Sequence, residues 1–162
     1  MLAVQFYDAV VALHVMAIVL AFGVTFAYPI MVPYVTRNHP AAVPAMYETM
    51  HLIGKRLITP AATVALLLGA YLASDRDYWS ETWVTVPLVI LIVLLGMGGA
   101  VFAPIERKLA ELTARDVQGA GGGPVAWSAE VESLARRNAT AGAVASLLIL
   151  VAIYFMVAKP FA

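Results

Sequence analysis

The chain has no cysteine and few charges, and both absences are informative. Without a thiol there can be no disulfide, no thiolate metal site, no iron–sulfur cluster and no thioether-linked haem, so any haem would be held non-covalently. Charged residues make up only 12% of the 162 positions, against about 25% in ordinary water-soluble domains. Mean hydropathy is +0.87 with 62% hydrophobic residues, which places the chain in a lipid bilayer. The net charge is zero and no basic stripe carries interleaved aromatics, so nucleic acid is excluded as a partner. The apolar runs contain no Asp or Glu, which argues against a pump or cation-coupled transporter built on carboxylates.

What is present is four long apolar stretches. A helix needs about 20 residues to cross roughly 30 Å of hydrocarbon. Ala9 to Val35, Leu57 to Ala73, Val84 to Ile105 and Ala139 to Ala158 all qualify or come close. The expected fold is an all-α, four-helix transmembrane bundle of up-down topology, a single domain over residues 1–162. The first run is expected to stay in the protein, because Asp8 and no basic residue precedes it and no small-x-small cleavage site follows.

Basic residues of short loops remain on the cytoplasmic side. Arg37, Lys55 and Arg56 follow the first run, and Arg107, Lys108, Arg115, Arg136 and Arg137 follow the third, against only Arg76 and Lys159 on the other face. Both termini are therefore expected outside, in a multi-pass protein of the inner (plasma) membrane. The third helix is expected to continue to about residue 116 as an amphipathic extension, because Ile105, Leu109 and Leu112 keep helical spacing. "GAGGGP" then breaks it within a Gly-rich linker over 117–127, and Ser128, followed by Glu130 and Glu132, starts a last helix over 128–158. No strand precedes these glycines and no Lys-Ser/Thr follows them, so they are not a phosphate-binding loop.

Candidate chemistry lies on the first helix. At 100° per residue, Tyr7, His14, Ala21, Thr25 and Tyr28 share one direction, flanked by Ala17 and Ile18. Unsatisfied donors are costly in hydrocarbon, so this seam should face the other helices. Two readings are open. The polar groups hydrogen-bond between helices while the alanines permit close packing, or the alanines leave room for a flat ligand whose metal His14 binds. His39 and His51 fall near the inner side, some 20 Å or more from His14 at 1.5 Å per residue, so two histidines of one chain cannot clamp one haem. The second axial position would then be empty, or filled by a methionine such as Met156, near the outer end of the last helix, or by a group from a partner chain. Arg56 shares a face with Thr59 and Thr63 and is a further candidate.

"LHVMAIVLAFG" in the first run and "GKRLITPAATVALLLGAYL" in the second resemble small bacterial membrane proteins of the DUF2269 type. More loosely they resemble CopD-like and HemJ-like membrane proteins, and the likeness covers the first two helices. Those families carry a histidine on the first span, matched here by His14, and a basic residue before a Thr-Pro step, matched by Arg56 or Lys55 before Thr59-Pro60. The HemJ-like resemblance implies haem b and protoporphyrinogen oxidation, and the CopD-like one implies copper passage. The chain has no Met/His cluster of the kind copper prefers. Expectation therefore rests on haem b at His14, with redox or haem handling as the role. A non-catalytic membrane subunit or assembly factor is the alternative, and a metal or small-solute permease ranks behind both. Small-residue faces such as Ala139, Gly142, Ala143 and Ser146 would also allow a homodimer or a larger membrane complex.

Overall fold

The computed structural model describes the backbone of residues 2–160 and the side chains of residues 6–160, all as helices and short connections with no strand among them. The helices are α1 (Leu2–Phe22), α2 (Tyr28–Asn38), α3 (Val43–Ile53), α4 (Thr59–Asp75), α5 (Thr82–Met97), α6 (Ala103–Gly119) and α7 (Ala129–Ala158). They join into four continuous rods, Phe6–Asn38, Pro40–Asp75, Thr82–Gly119 and Ala129–Ala158, each long and apolar enough to cross a membrane. Large apolar side chains such as Val19, Ile30, Leu67, Leu147 and Val157 are exposed along them, as lipid-facing surfaces require.

Three rods are interrupted, each just before a proline. Gly23–Ala27 is a 3₁₀ turn ahead of Pro29, and Gly54–Ile58 and Gly98–Phe102 are π turns ahead of Pro60 and Pro104. Proline has no N–H for the carbonyl four residues back and its ring crowds that carbonyl, so the preceding turn closes with a different span. In the second rod the Thr59 hydroxyl donates to the Gly54 carbonyl at 2.9 Å.

The second rod begins well before the expected Leu57. Residues 43–53 are helical, because Pro40 and Pro44 fall in first turns, where a missing N–H costs nothing, and Val43, Met46, Tyr47 and Met50 repeat at helical spacing. His51 thus lies on a helix, and His39 caps the end of α2. The third rod runs to Gly119, slightly beyond the expected end. Ser128 caps α7 by accepting from the Val131 N–H, in keeping with its position before Glu130 and Glu132. The Asp116 carboxylate accepts from the Ser128 N–H at 2.8 Å and ties the Gly-rich connection closed.

Two cores fill the bundle. One joins Ala17, Ala21 and Phe22 of α1, Ala62 and Ala65 of α4, Ile90, Leu91 and Leu94 of α5, and Ile149 of α7. The other joins α3 to α6 through Val43, Met46, Tyr47, Met50, Ile105, Leu109, Ala110 and Leu112, with Val131 of α7. α1 makes its most extensive contact with α4, through alanines that let the two backbones approach. Ala65 is 0% exposed, so Ala65→Leu is expected to force these helices apart and to lower stability by about 1–3 kcal/mol. Thermal unfolding in detergent checks it, and a variant as stable as the parent would show that the α1–α4 contact yields.

Candidate functional site

At one end of the first core a cavity of about 550 Å³ lies between α1, α4, α5 and α7. Its walls are almost wholly apolar, including Val11, Ile18, Leu66, Pro87, Leu91 and Ile153. Polar groups come from Tyr7, His14, Tyr78, Trp79, Trp83 and Lys159. That size and that ratio of apolar wall to a few polar groups suit a small organic ligand.

His14 is the group with ligand chemistry. Its Nδ1 lies 2.8 Å from the Ala65 carbonyl oxygen on α4. A carbonyl can only accept, so Nδ1 carries the hydrogen. In the neutral ring Nε2 then holds the lone pair, and the ring lines the cavity. Metal-binding histidines are commonly prepared in this way, one nitrogen anchored on a carbonyl and the other free to coordinate.

Gly69 makes this placement possible. In a helix the Ala65 carbonyl points toward residue 69. A Cβ at Gly69 would stand 3.0 Å from Cε1 of His14 and 3.4 Å from its Nδ1. A bare Cα at this position lets the imidazole lie against α4 and reach the carbonyl beneath without a crowded contact. Ala62, Ala65, Gly69 and Ala73 form a stripe of small residues readable in the sequence, yet periodicity alone does not single out Gly69.

The remaining expected site residues divide. Met156 lines the same cavity from α7, so the structure brings it together with His14. Ala17 and Ala21 are 7% and 0% exposed and belong to the packed core, where they close the α1–α4 contact without lining the cavity. The Thr25 hydroxyl turns back onto the Phe22 carbonyl at 2.7 Å. Tyr28 packs against the second core. Arg56 is exposed in the π turn before α4 and lines no part of the cavity. The seam therefore separates at Gly23–Ala27. A 3₁₀ turn advances about 120° per residue in place of 100°, so five such residues rotate α2 by about 100° relative to α1.

Glu106, just beyond the third apolar run, is buried where the sequence reads as a solvated extension. It is 6% exposed, and it faces Tyr28 of α2 and Tyr47 of α3. It forms no ion pair among the described residues. The Tyr28 hydroxyl and the Asn138 Oδ1 are buried without a hydrogen-bond partner.

No group of three or more His, Asp or Glu side chains able to hold a metal ion occurs among the described residues. A bare ion would thus find one imidazole and no further nitrogen or carboxylate set in the cavity, whereas a metal carried inside a macrocycle needs only an axial donor. The fold and the cavity define a helical bundle of four apolar rods with a ligand-sized chamber and one poised imidazole. Compared with known proteins, the chain matches no protein family, no curated protein and no solved structure.

Proposed function

We propose that this chain is a multi-pass protein of the plasma membrane that binds haem b in the cavity through Nε2 of His14 and serves in redox or haem handling. The observation that carries this reading is the imidazole fixed by its Nδ1–H on the Ala65 carbonyl at the wall of a 550 Å³ apolar cavity. The donor set suits haem: a neutral imidazole prepared by a carbonyl, a thioether at Met156 on the same wall system, and no competing cluster for a free ion. Bound haem would supply one-electron chemistry. The protein's own residues would hold and orient it, His14 through its imidazole and Met156 as a further donor on the cavity wall.

The up-down arrangement with both termini outside is part of the same reading. It is supported by the excess of basic residues after the first and third rods, and by Tyr78, Trp79 and Trp83 beside the cavity, where aromatic residues suit a membrane–water interface. The loose likeness to HemJ-like proteins on the first two helices accords with a haem role.

The test is the absorption spectrum of the detergent-purified protein with added haemin, oxidised and dithionite-reduced, beside His14→Ala. The wild type is expected to give a Soret band that shifts on reduction, and the variant to lose it. A wild type that leaves the haemin spectrum unchanged would overturn the reading. His14 would then be an interhelical hydrogen-bonding residue in a non-catalytic membrane module.

A further inference from the structure

The cavity carries a charge signature that the proposed function does not use. Among its lining residues the one permanent charge is the ammonium of Lys159, and none of the lining side chains is acidic. Lys159 directly follows the last residue of α7, in a left-handed conformation (φ 44°) that is uncommon for a residue with a side chain. Its N–H caps the helix on the Phe155 carbonyl, and its Nζ lies 4.4 Å from the centre of the Trp83 ring, itself part of the cavity wall. Arg76 repeats the arrangement on another wall. Its guanidinium lies 4.4 Å from the centre of the Tyr7 ring, also a lining residue, while its Nε lies 3.6 Å from the Asp75 carboxylate. Lys159 has no carboxylate partner among the described residues.

These contacts distinguish the two ends of the chamber. The cation stands where Trp83, Tyr78 and Trp79 meet the cavity, while the far walls are aliphatic, with Ile18, Leu94 and Ile149. A ligand that is apolar throughout would leave the ammonium unpaired against its rim. A ligand with an apolar body and an anionic edge satisfies both regions and can enter in only one orientation.

We infer that the cavity selects an amphiphile with a carboxylate edge, and that Lys159 receives that carboxylate at the aromatic rim. This rests on the reading of the cavity as a haem site and deepens it, since it fixes which edge of the macrocycle faces out. The device is an orienting one: Trp83 holds the ammonium over its face until a carboxylate arrives. Arg76, paired with Asp75, leaves Lys159 as the first contact.

The experiment uses the full chain in nanodiscs of zwitterionic lipid, with metal-free protoporphyrin IX and its dimethyl ester as probes and quenching of tryptophan fluorescence as the readout. The free acid and the ester share the apolar body and differ only in charge. In the wild type the acid is expected to bind about tenfold more tightly relative to the ester than it does in Lys159→Gln, the size of one charge-assisted hydrogen bond. Lys159→Arg is expected to restore most of the preference.

An acid-to-ester ratio that is the same in the wild type and in Lys159→Gln overturns the inference, as does a wild type quenched by neither probe. The haem reading fails separately. If haemin shows no His14-dependent Soret band while the acid preference still depends on Lys159, the cavity takes a metal-free anionic amphiphile and the inference stands. If haemin is ligated by His14 and the acid preference ignores Lys159, the haem reading stands and the inference falls.

Discussion

Gly69→Ala is expected to weaken haemin binding by about 10- to 100-fold, the range found when the group that orients a metal-binding histidine is lost, while the helices remain formed. The added methyl would sit 3.0 Å from Cε1 of His14, tighter than nearly all carbon contacts, so the ring is expected to give way by rotating from α4. Rotation breaks the 2.8 Å hydrogen bond to Ala65 and with it the preference for hydrogen on Nδ1. Nε2 then no longer presents its lone pair from a fixed direction. Haemin titration followed at the Soret band measures the loss, and Gly142→Ala serves as the comparison. Gly142 is also a helical glycine, but a Cβ there meets nothing within 4 Å. That variant should bind as the parent does. Equal binding by Gly69→Ala and the parent would mean that the imidazole is not held where the carbonyl places it, and His14 would no longer count as a prepared ligand.

The positions of His14 and Gly69 show what is legible in the sequence and what is not. A histidine inside an apolar run is conspicuous by composition, and its depth near one end of α1 comes from counting 1.5 Å per residue. The depth of Met156 near the same end of the bundle, where both side chains line the cavity, comes from the same counting. The extent of the seam does not, because a 100° projection holds only while the helix stays α. Pro29 is visible in the sequence, but a uniform projection omits the 3₁₀ turn it imposes on Gly23–Ala27, and so puts Thr25 and Tyr28 on the wrong face. Residues 43–53 are obscured for a related reason. Two prolines and several polar residues resemble a loop, although both prolines occupy first turns and the apolar positions keep a helical repeat against α6. Lys159 can be counted as a basic residue but not placed, since only the left-handed residue closing α7 folds its side chain over Trp83.

Glu106 is the residue whose burial is least legible. In "PIERKLAEL" it reads as the first charge of a solvated extension, one of four in six residues. Its burial comes from the continuation of the second rod. α3, which packs along α6, covers the face that carries Ile105, Glu106, Leu109, Ala110, Leu112 and Thr113. A second helix beginning at Leu57 would leave that face open, and so leave Glu106 in water.

The consequence is a large and sign-dependent effect of charge at this position. Glu106→Lys is expected to lower stability by about 3 kcal/mol or more, because the ammonium would enter a space bounded by the Tyr28 and Tyr47 rings with no acidic partner and with a longer chain to accommodate. Glu106→Gln, close in shape and without a charge to bury, is expected to match or exceed the parent. Burying an ionised carboxylate costs several kcal/mol unless it is paired, and no cation pairs with it among the described residues. Thermal unfolding in one detergent at one pH, followed by circular dichroism, decides between them. If Gln proves as damaging as Lys, the carboxylate itself is required by its surroundings, and the unpartnered Tyr28 hydroxyl is the first group to examine as its donor. If only Lys is damaging, the interface between α3 and α6 tolerates a polar group there because it is small and neutral enough. The apolar side chains around it, Tyr47, Met50, Ile105 and Leu109, then hold this end of the bundle together.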